Sequence, residues 1–227
     1  RDRLLSNFKI MKKIYALLLT FMLIFGLTNV NAQDKNNQWQ FSFGTNAVDL
    51  EVDQSTTVPN FFDVDQNWNV SKSPLSMFSL SKYVGDNVSI GIGASFNNIS
   101  NYATDPTDLS LVGTTNDYFT VDAMLKYDLS DLFTIGKLEP FVGIGPGWTW
   151  VGDYQDGLTG NMTAGVNYWF NDVFGLTFMA EAKHNYDNVG GATLIDEGGS
   201  MRYSAMFSVK FGGIDTDGDG IYDEHDN

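Results

Sequence analysis

Thr159–Phe170 reads TGNMTAGVNYWF, and its alternation decides the fold. Met162, Ala164, Val166, Tyr168 and Phe170 share one parity, whereas Asn161, Thr163, Gly165 and Asn167 share the other. A period of two is the signature of a β-strand with one apolar face, because successive side chains point to opposite sides of the sheet. Two other stretches repeat the pattern. Phe119, Val121, Ala123, Leu125 and Tyr127 oppose Thr120, Asp122 and Lys126, and Met201, Tyr203, Ala205, Phe207, Val209 and Phe211 oppose Arg202, Ser204, Ser208 and Lys210.

Extending the count in both directions predicts eight strands, over residues 39–50, 75–84, 88–98, 117–128, 138–151, 159–170, 175–186 and 200–211. The connections alternate in length, so the long ones fall at one end of the sheet and mostly short turns at the other. Residues 85–87, Gly-Asp-Asn, form the shortest turn.

Alternation does not say which face is inside. A solvated surface is usually dense in Lys and Glu, but these polar faces are mostly Gly, Ser, Thr and Asn. Their charges balance over the last five predicted strands, with Asp122, Asp128, Glu139 and Glu181 against Lys126, Lys183, Arg202 and Lys210. A neutral face in so acidic a chain points to an enclosed, internally paired lumen. In register, Glu181 and Lys183 are expected level with Arg202 and Ser204, and Lys126 near Glu139. The apolar face, with Val121, Leu125, Val166, Phe178 and Val209, is expected to meet lipid. Trp39, Tyr127, Phe170 and Phe211 gather at one end and Phe119, Trp150, Tyr186 and Tyr203 at the other, as aromatic belts do at the two membrane interfaces. The expected architecture is an all-β, eight-stranded antiparallel transmembrane barrel. A secreted, lipocalin-like barrel with an apolar interior is the alternative. Eight strands leave a lumen that side chains fill, so an open diffusive pore is not expected.

Composition narrows the function. The 227 residues hold 13 Lys+Arg and 28 Asp+Glu, a net charge of -15. Such acidity opposes nucleic-acid binding, which needs a basic stripe to displace counterions. The chain has no Cys, which removes disulfides, thiolate metal sites and Cys nucleophiles. Its two histidines, His184 and His225, offer little for a metal centre or a Ser-His-Asp relay. His184 has the apolar parity and reads as an interfacial side chain. Gly143, Gly145 and Gly147 recur at every second position within a strand, so they read as room for bulky neighbours rather than as a phosphate loop. No enzyme activity is expected.

The N-terminus has targeting logic. Met11-Lys12-Lys13 and the apolar run from Ile14 to Leu27 lead to Val30-Asn31-Ala32, the pattern of a signal peptide over residues 11–32, cleaved after Ala32. Residues 1–10 read as an over-extended start. Removing residues 1–32 leaves 8 basic and 27 acidic side chains and a charge of -19. The barrel is expected over 33–211 and a linker with one repeat over 212–227.

Asp215-Thr216-Asp217-Gly218-Asp219-Gly220-Ile221-Tyr222-Asp223-Glu224-His225-Asp226 matches a twelve-residue calcium loop. Asp215, Asp217, Asp219, Asp223 and Asp226 would supply carboxylates, Ile221 a backbone carbonyl and Gly220 the turn. Asp226 stands where such loops favour Glu, which makes bidentate closure harder. His225 is at a non-ligand position.

Signal peptide, eight strands, the closing Phe207-Ser208-Val209-Lys210-Phe211, Gly212-Gly213 and the acidic loop together resemble the N-terminal part of OmpA-family outer-membrane proteins. In the type resembled, the barrel is followed by thrombospondin type 3 calcium repeats. The resemblance implies a Gram-negative outer-membrane location, a tail in the periplasm, and tethering to peptidoglycan by a further C-terminal domain. No position up to Asn227 matches that domain, so a truncated gene is expected. It also implies calcium as the bound ion, membrane lipid as a partner and a monomeric barrel. Two other functions compete: adhesion or ligand binding through loops 51–74 and 99–116, which hold Phe61, Phe62, Trp68 and Tyr102, and a small-barrel lipid-modifying enzyme.

Overall fold

A computed structural model describes residues 37–50, 68–100, 115–132, 137–152, 155–186 and 199–213. The strands are β1 (Trp39–Asp49), β2 (Trp68–Val70), β3 (Met77–Gly85), β4 (Val88–Ile99), β5 (Asn116–Asp128), β6 (Leu138–Val151), β7 (Gln155–Trp169), β8 (Phe174–Asn185) and β9 (Ser200–Phe211). All pairings are antiparallel. β1 pairs with β9 from Trp39 opposite Phe211 to Asp49 opposite Met201, which closes the sheet. β2 and β3 lie on the same flank of β1, opposite residues 47–49 and 39–44, so they are two pieces of one stave. The closed barrel therefore has eight staves. Closure gives each strand a partner on both flanks, as a wall in hydrocarbon requires.

Two boundaries differ from expectation by more than one residue. The second strand starts at Met77 instead of residue 75, and Trp68–Val70, assigned to a loop, extends the same stave. Pro74 has no N–H for the ladder, and the chain leaves the wall between Ser71 and Ser76, whose amides still donate to the Asn46 and Gly44 carbonyls. Asn46 stitches the break by donating from Nδ2 to the Ser76 carbonyl (2.8 Å) and the Phe96 carbonyl (3.1 Å). β7 begins four residues early, at Gln155, which shortens the connection after Val151. At the predicted tight turn, Gly85, Asp86 and Asn87 have φ of 120°, 48° and 63°. The last two occupy the left-handed region that short polar side chains tolerate.

Burial is inverted relative to a water-soluble barrel. Met162, Ile92 and Ile144 on the outer wall are 69%, 63% and 58% exposed, whereas Arg202 and Glu181 inside are 0% exposed. A continuous apolar exterior around a charged interior suits hydrocarbon, so the lipocalin-like alternative is excluded. Val121, Leu125 and Phe178 are exposed as expected, and Val166 is half-buried. Val209 is a correction. It has the outward parity, but it is buried against Val173, Phe174 and Phe207, because the turn into β8 folds over it.

Rings cluster at the end of the long connections. Phe119 stacks on Phe96 and on Trp150, and Trp68 stacks on Tyr203 at 4.2 Å. Trp68 is thus part of the wall. His184, exposed, meets Tyr186 edge-on at 5.3 Å. Phe61, Phe62, Tyr102, the signal segment and the whole acidic motif from Asp215 to Asp226, His225 included, lie outside the described residues.

Candidate functional site

The lumen is layered, and β5 samples the layers in order with its inward residues Tyr118, Asp122, Met124 and Lys126. Tyr118 joins Val48, Leu50, Ile99 and Val151 in an apolar layer at the end of the long connections. Asp122 belongs to a fully buried charge cluster. Met124 packs on Met77, Phe141, Met179 and Met206. Lys126 lies near the opposite mouth, 3.4 Å from Gln40 Oε1 and 5.0 Å from the centroid of the Phe141 ring.

The charge cluster holds two acids and two bases from both sides of the barrel. Arg202 Nη2 lies 2.9 Å from Asp122 Oδ2 and 2.7 Å from Glu181 Oε1. Lys183 Nζ lies 3.1 Å from Glu181 Oε1 and also pairs with Asp122. Neutral groups complete the shell. Arg202 Nη1 donates to Ser95 (2.8 Å) and Thr120 (2.6 Å), Asn161 Nδ2 donates to Asp122 (2.9 Å), and Thr163 donates to Glu181 (3.3 Å). The cluster ties β4 and β5 to β7, β8 and β9 across the lumen. Each charge meets opposite charge, the condition under which burial of ions is tolerated, although Arg202 Nε has no hydrogen-bond partner among the described residues.

Register corrects one pairing. Glu181 faces Arg202, but Lys183 faces Ser200, and Ser204 faces Met179. Antiparallel numbering runs in opposite senses, so two steps up one strand are two steps down its neighbour. At the other mouth, Glu139 forms its ion pair with Lys210 at 3.3 Å and accepts from the indole of Trp169. Lys210 also lies 3.6 Å from the centroid of the Trp169 ring. Asp128 accepts from the Ser130 amide at 2.7 Å, at the turn. Between the mouths, Ser208 bonds to both Ser42 and Thr177, and Thr177 donates to Asn167. A void of about 40 Å³ remains beside Asp122, Met124 and Lys126, room for a few waters at roughly 10–15 Å³ each.

Among these contacts, Ser95, Gln40 and Trp169 were not singled out from sequence. Their inward parity is visible, but Ser95 and Gln40 meet Arg202 and Lys126 three staves away, and Trp169 meets Glu139 on the adjacent strand and Lys210 two staves away. Gly143 and Gly147 have the role expected of them, whereas Gly145 lies against backbone, where a Cβ would strike the Ala123 carbonyl. A Cβ on Gly147 would strike Asp122 Oδ1 and come within 2.6 Å of Asn161 Nδ2, and one on Gly143 would crowd Met124 at 3.1 Å. Gly147→Ala is therefore expected to displace Asp122 and cost about 1–3 kcal/mol, the usual range for overpacking. A urea unfolding midpoint equal to that of the parent barrel would show that the cluster does not need this space.

What the cluster does chemically is hold charge in place. Asp122 and Glu181 each meet both Lys183 and Arg202, and all four side chains are 2% exposed or less. Among the described residues, no three His, Cys, Asp or Glu side chains are grouped as a metal site.

No protein-family model and no curated protein matches the chain. Among solved structures it is similar to Neisserial surface protein A, at 13% identity over 76% of this chain and 96% of that one, with a TM-score of 0.47. The N-terminal β-barrel domain of Pseudomonas aeruginosa OprF gives 13% identity, 78% and 100% coverage and a TM-score of 0.45. The outer membrane protein AlkL in lipid bilayers gives 15%, 83%, 98% and 0.46. The barrel itself is defined by this chain's own strand pairing, closed between β1 and β9.

Proposed function

We propose that the protein is a structural, non-catalytic barrel of the Gram-negative outer membrane, from which a calcium-binding spacer leads through the periplasm toward peptidoglycan. The observation that carries the reading is the inverted burial, an apolar wall around a lumen whose charges are paired. An even number of staves supports the direction of the spacer. Phe211 pairs with Trp39, so Gly212 and Gly213 leave the wall at the end where the first strand enters it. Gly212, at φ 90°, turns the chain against the Trp39 ring. The acidic motif begins two residues later.

Calcium is favoured over magnesium for chemical reasons. Five carboxylates and a carbonyl around a glycine turn form a flexible, oxygen-rich set, whereas magnesium demands a tighter octahedron and keeps its water. Calorimetry on the mature protein should register calcium and little magnesium, and Asp217→Asn with Asp219→Asn should abolish the calcium heat. Calcium heat that survives the double substitution would move the site elsewhere. For location, an epitope placed after Gly213 should be shielded from added protease in intact cells and cleaved once the outer membrane is permeabilised. Cleavage in intact cells would reverse the topology and remove the tether.

A further inference from the structure

The two apolar layers of the lumen are built from different side chains. The layer at the end of the long connections is Val48, Leu50, Ile99, Tyr118 and Val151, mostly branched groups without sulfur. The layer on the other side of the charge cluster is Met77, Met179, Met206 and Phe141, with Met124 packed on them. Four staves, those of β3, β5, β8 and β9, thus each send one thioether to the same level. Among the described residues, the remaining methionines are Met162 and Met201, both of outward parity.

Each of the four methionines stands beside an inward glycine. The ladder sets Gly44 of β1 between Met77 and Met206, Gly91 of β4 beside Met124, and Gly165 of β7 beside Met179. Unbranched side chains next to positions without a Cβ keep their freedom to turn, so the sulfur atoms are easily re-aimed. All four also line the void of about 40 Å³. Packing does not impose that void. A Cβ on Gly93, which lines it too, would sit 3.4 Å from the Phe78 carbonyl oxygen and 3.5 Å from Met77 Cε, in ordinary contact. The wall has room for a side chain there and leaves it out.

Thioethers are soft, neutral donors that select Cu(I), whereas calcium and magnesium take carboxylate, carbonyl and water oxygen. The chain has no Cys, so methionine sulfur is the softest donor it has. Charge limits the ion further. Asp122 and Arg202 line the void but are engaged with each other at 2.9 Å, and Lys126 lines it as well. Neutral donors beside a balanced cluster and a lysine add no countercharge, which disfavours a divalent ion. We propose that the void among Met77, Met124, Met179 and Met206 binds one monovalent soft metal ion, Cu(I), through thioether sulfur. The site is independent of the calcium spacer, whose oxygen donors suit the opposite class of metal.

The test uses the full chain refolded in zwitterionic detergent and chloride-free buffer. Ag(I), which shares the charge and softness of Cu(I) and needs no reductant, is added and counted by native mass spectrometry. Cu(I) is then titrated under argon against the chelator bicinchoninate. One ion per barrel is expected, and excess Zn(II) or Ca(II) should not displace it. Met124→Leu with Met206→Leu conserves volume and removes two sulfur atoms, so retention should weaken by about tenfold or more. Met162→Leu with Met201→Leu, on the outer wall, should change nothing. Lys126→Gln removes a like charge from the void and should tighten binding. Heat-modifiable gel mobility checks that each variant is folded. Equal retention in the inner pair, equal loss in the outer pair, or no gain in Lys126→Gln overturns the site. Should the inner pair fail to fold, X-ray absorption at the copper edge of the parent protein decides: sulfur neighbours support the site, and a shell of nitrogen and oxygen alone overturns it.

Discussion

Glu181→Gln is expected to lower the stability of the barrel by about 3 to 5 kcal/mol, because it leaves a cation uncompensated in a low-dielectric interior. Glu181 is 0% exposed and meets Arg202 at 2.7 Å and Lys183 at 3.1 Å, with Asp122 as the other acid of the cluster. Removing one negative charge leaves Asp122 to neutralise two bases. The double variant Glu181→Gln/Lys183→Met restores neutrality and should be less damaging than the sum of the single changes, since the lost term is the unpaired charge. Urea unfolding in phosphatidylcholine vesicles, read by tryptophan fluorescence, measures both. Additive losses would mean that the four groups do not act as one unit.

The second large effect is on the opposite face of the wall. Met162→Arg should cost about 2 to 4 kcal/mol if the residue lies near the middle of the bilayer, the range for a cation on the lipid face of a barrel. Met162 is 69% exposed on β7 and lies between Ile144 on β6 and Ala182 on β8. In a soluble barrel this substitution would improve the surface. Its neighbour Thr163 points inward and donates to Glu181 at 3.3 Å. Thr163→Leu should destabilise for the contrary reason, loss of a polar partner. A pair of variants in which Met162→Arg is silent in vesicles would place β7 outside the hydrocarbon.

The sequence carried the strand pattern well because the pattern is local. Met162 and Thr163 differ in environment because their Cβ atoms leave the strand on opposite sides, and that alternation is written in residue types. The short turn at Asp86 and Asn87 was legible for the same reason. β2 was not, since three residues show no period and Pro74 conceals their continuity with β3. The lumen network was half legible. Glu181 opposite Arg202 follows from counting back through one connection, whereas Lys183 faces Ser200 because antiparallel neighbours are numbered in opposite senses. Contacts of Arg202 with Ser95 and of Asp122 with Lys183 cross the barrel and leave no local mark.

Sequence alone therefore determined which side of the wall each residue takes and that the polar side is the enclosed one. Period two and residue chemistry are enough for that. Tertiary structure decided which charges meet, that Glu139 pairs with Lys210, that Val209 is covered, and that Trp68–Val70 extends the second stave. Those outcomes depend on the stagger accumulated over eight staves before β1 meets β9. A two-residue shift in a single register would change the partners across the lumen while leaving every residue on its own face.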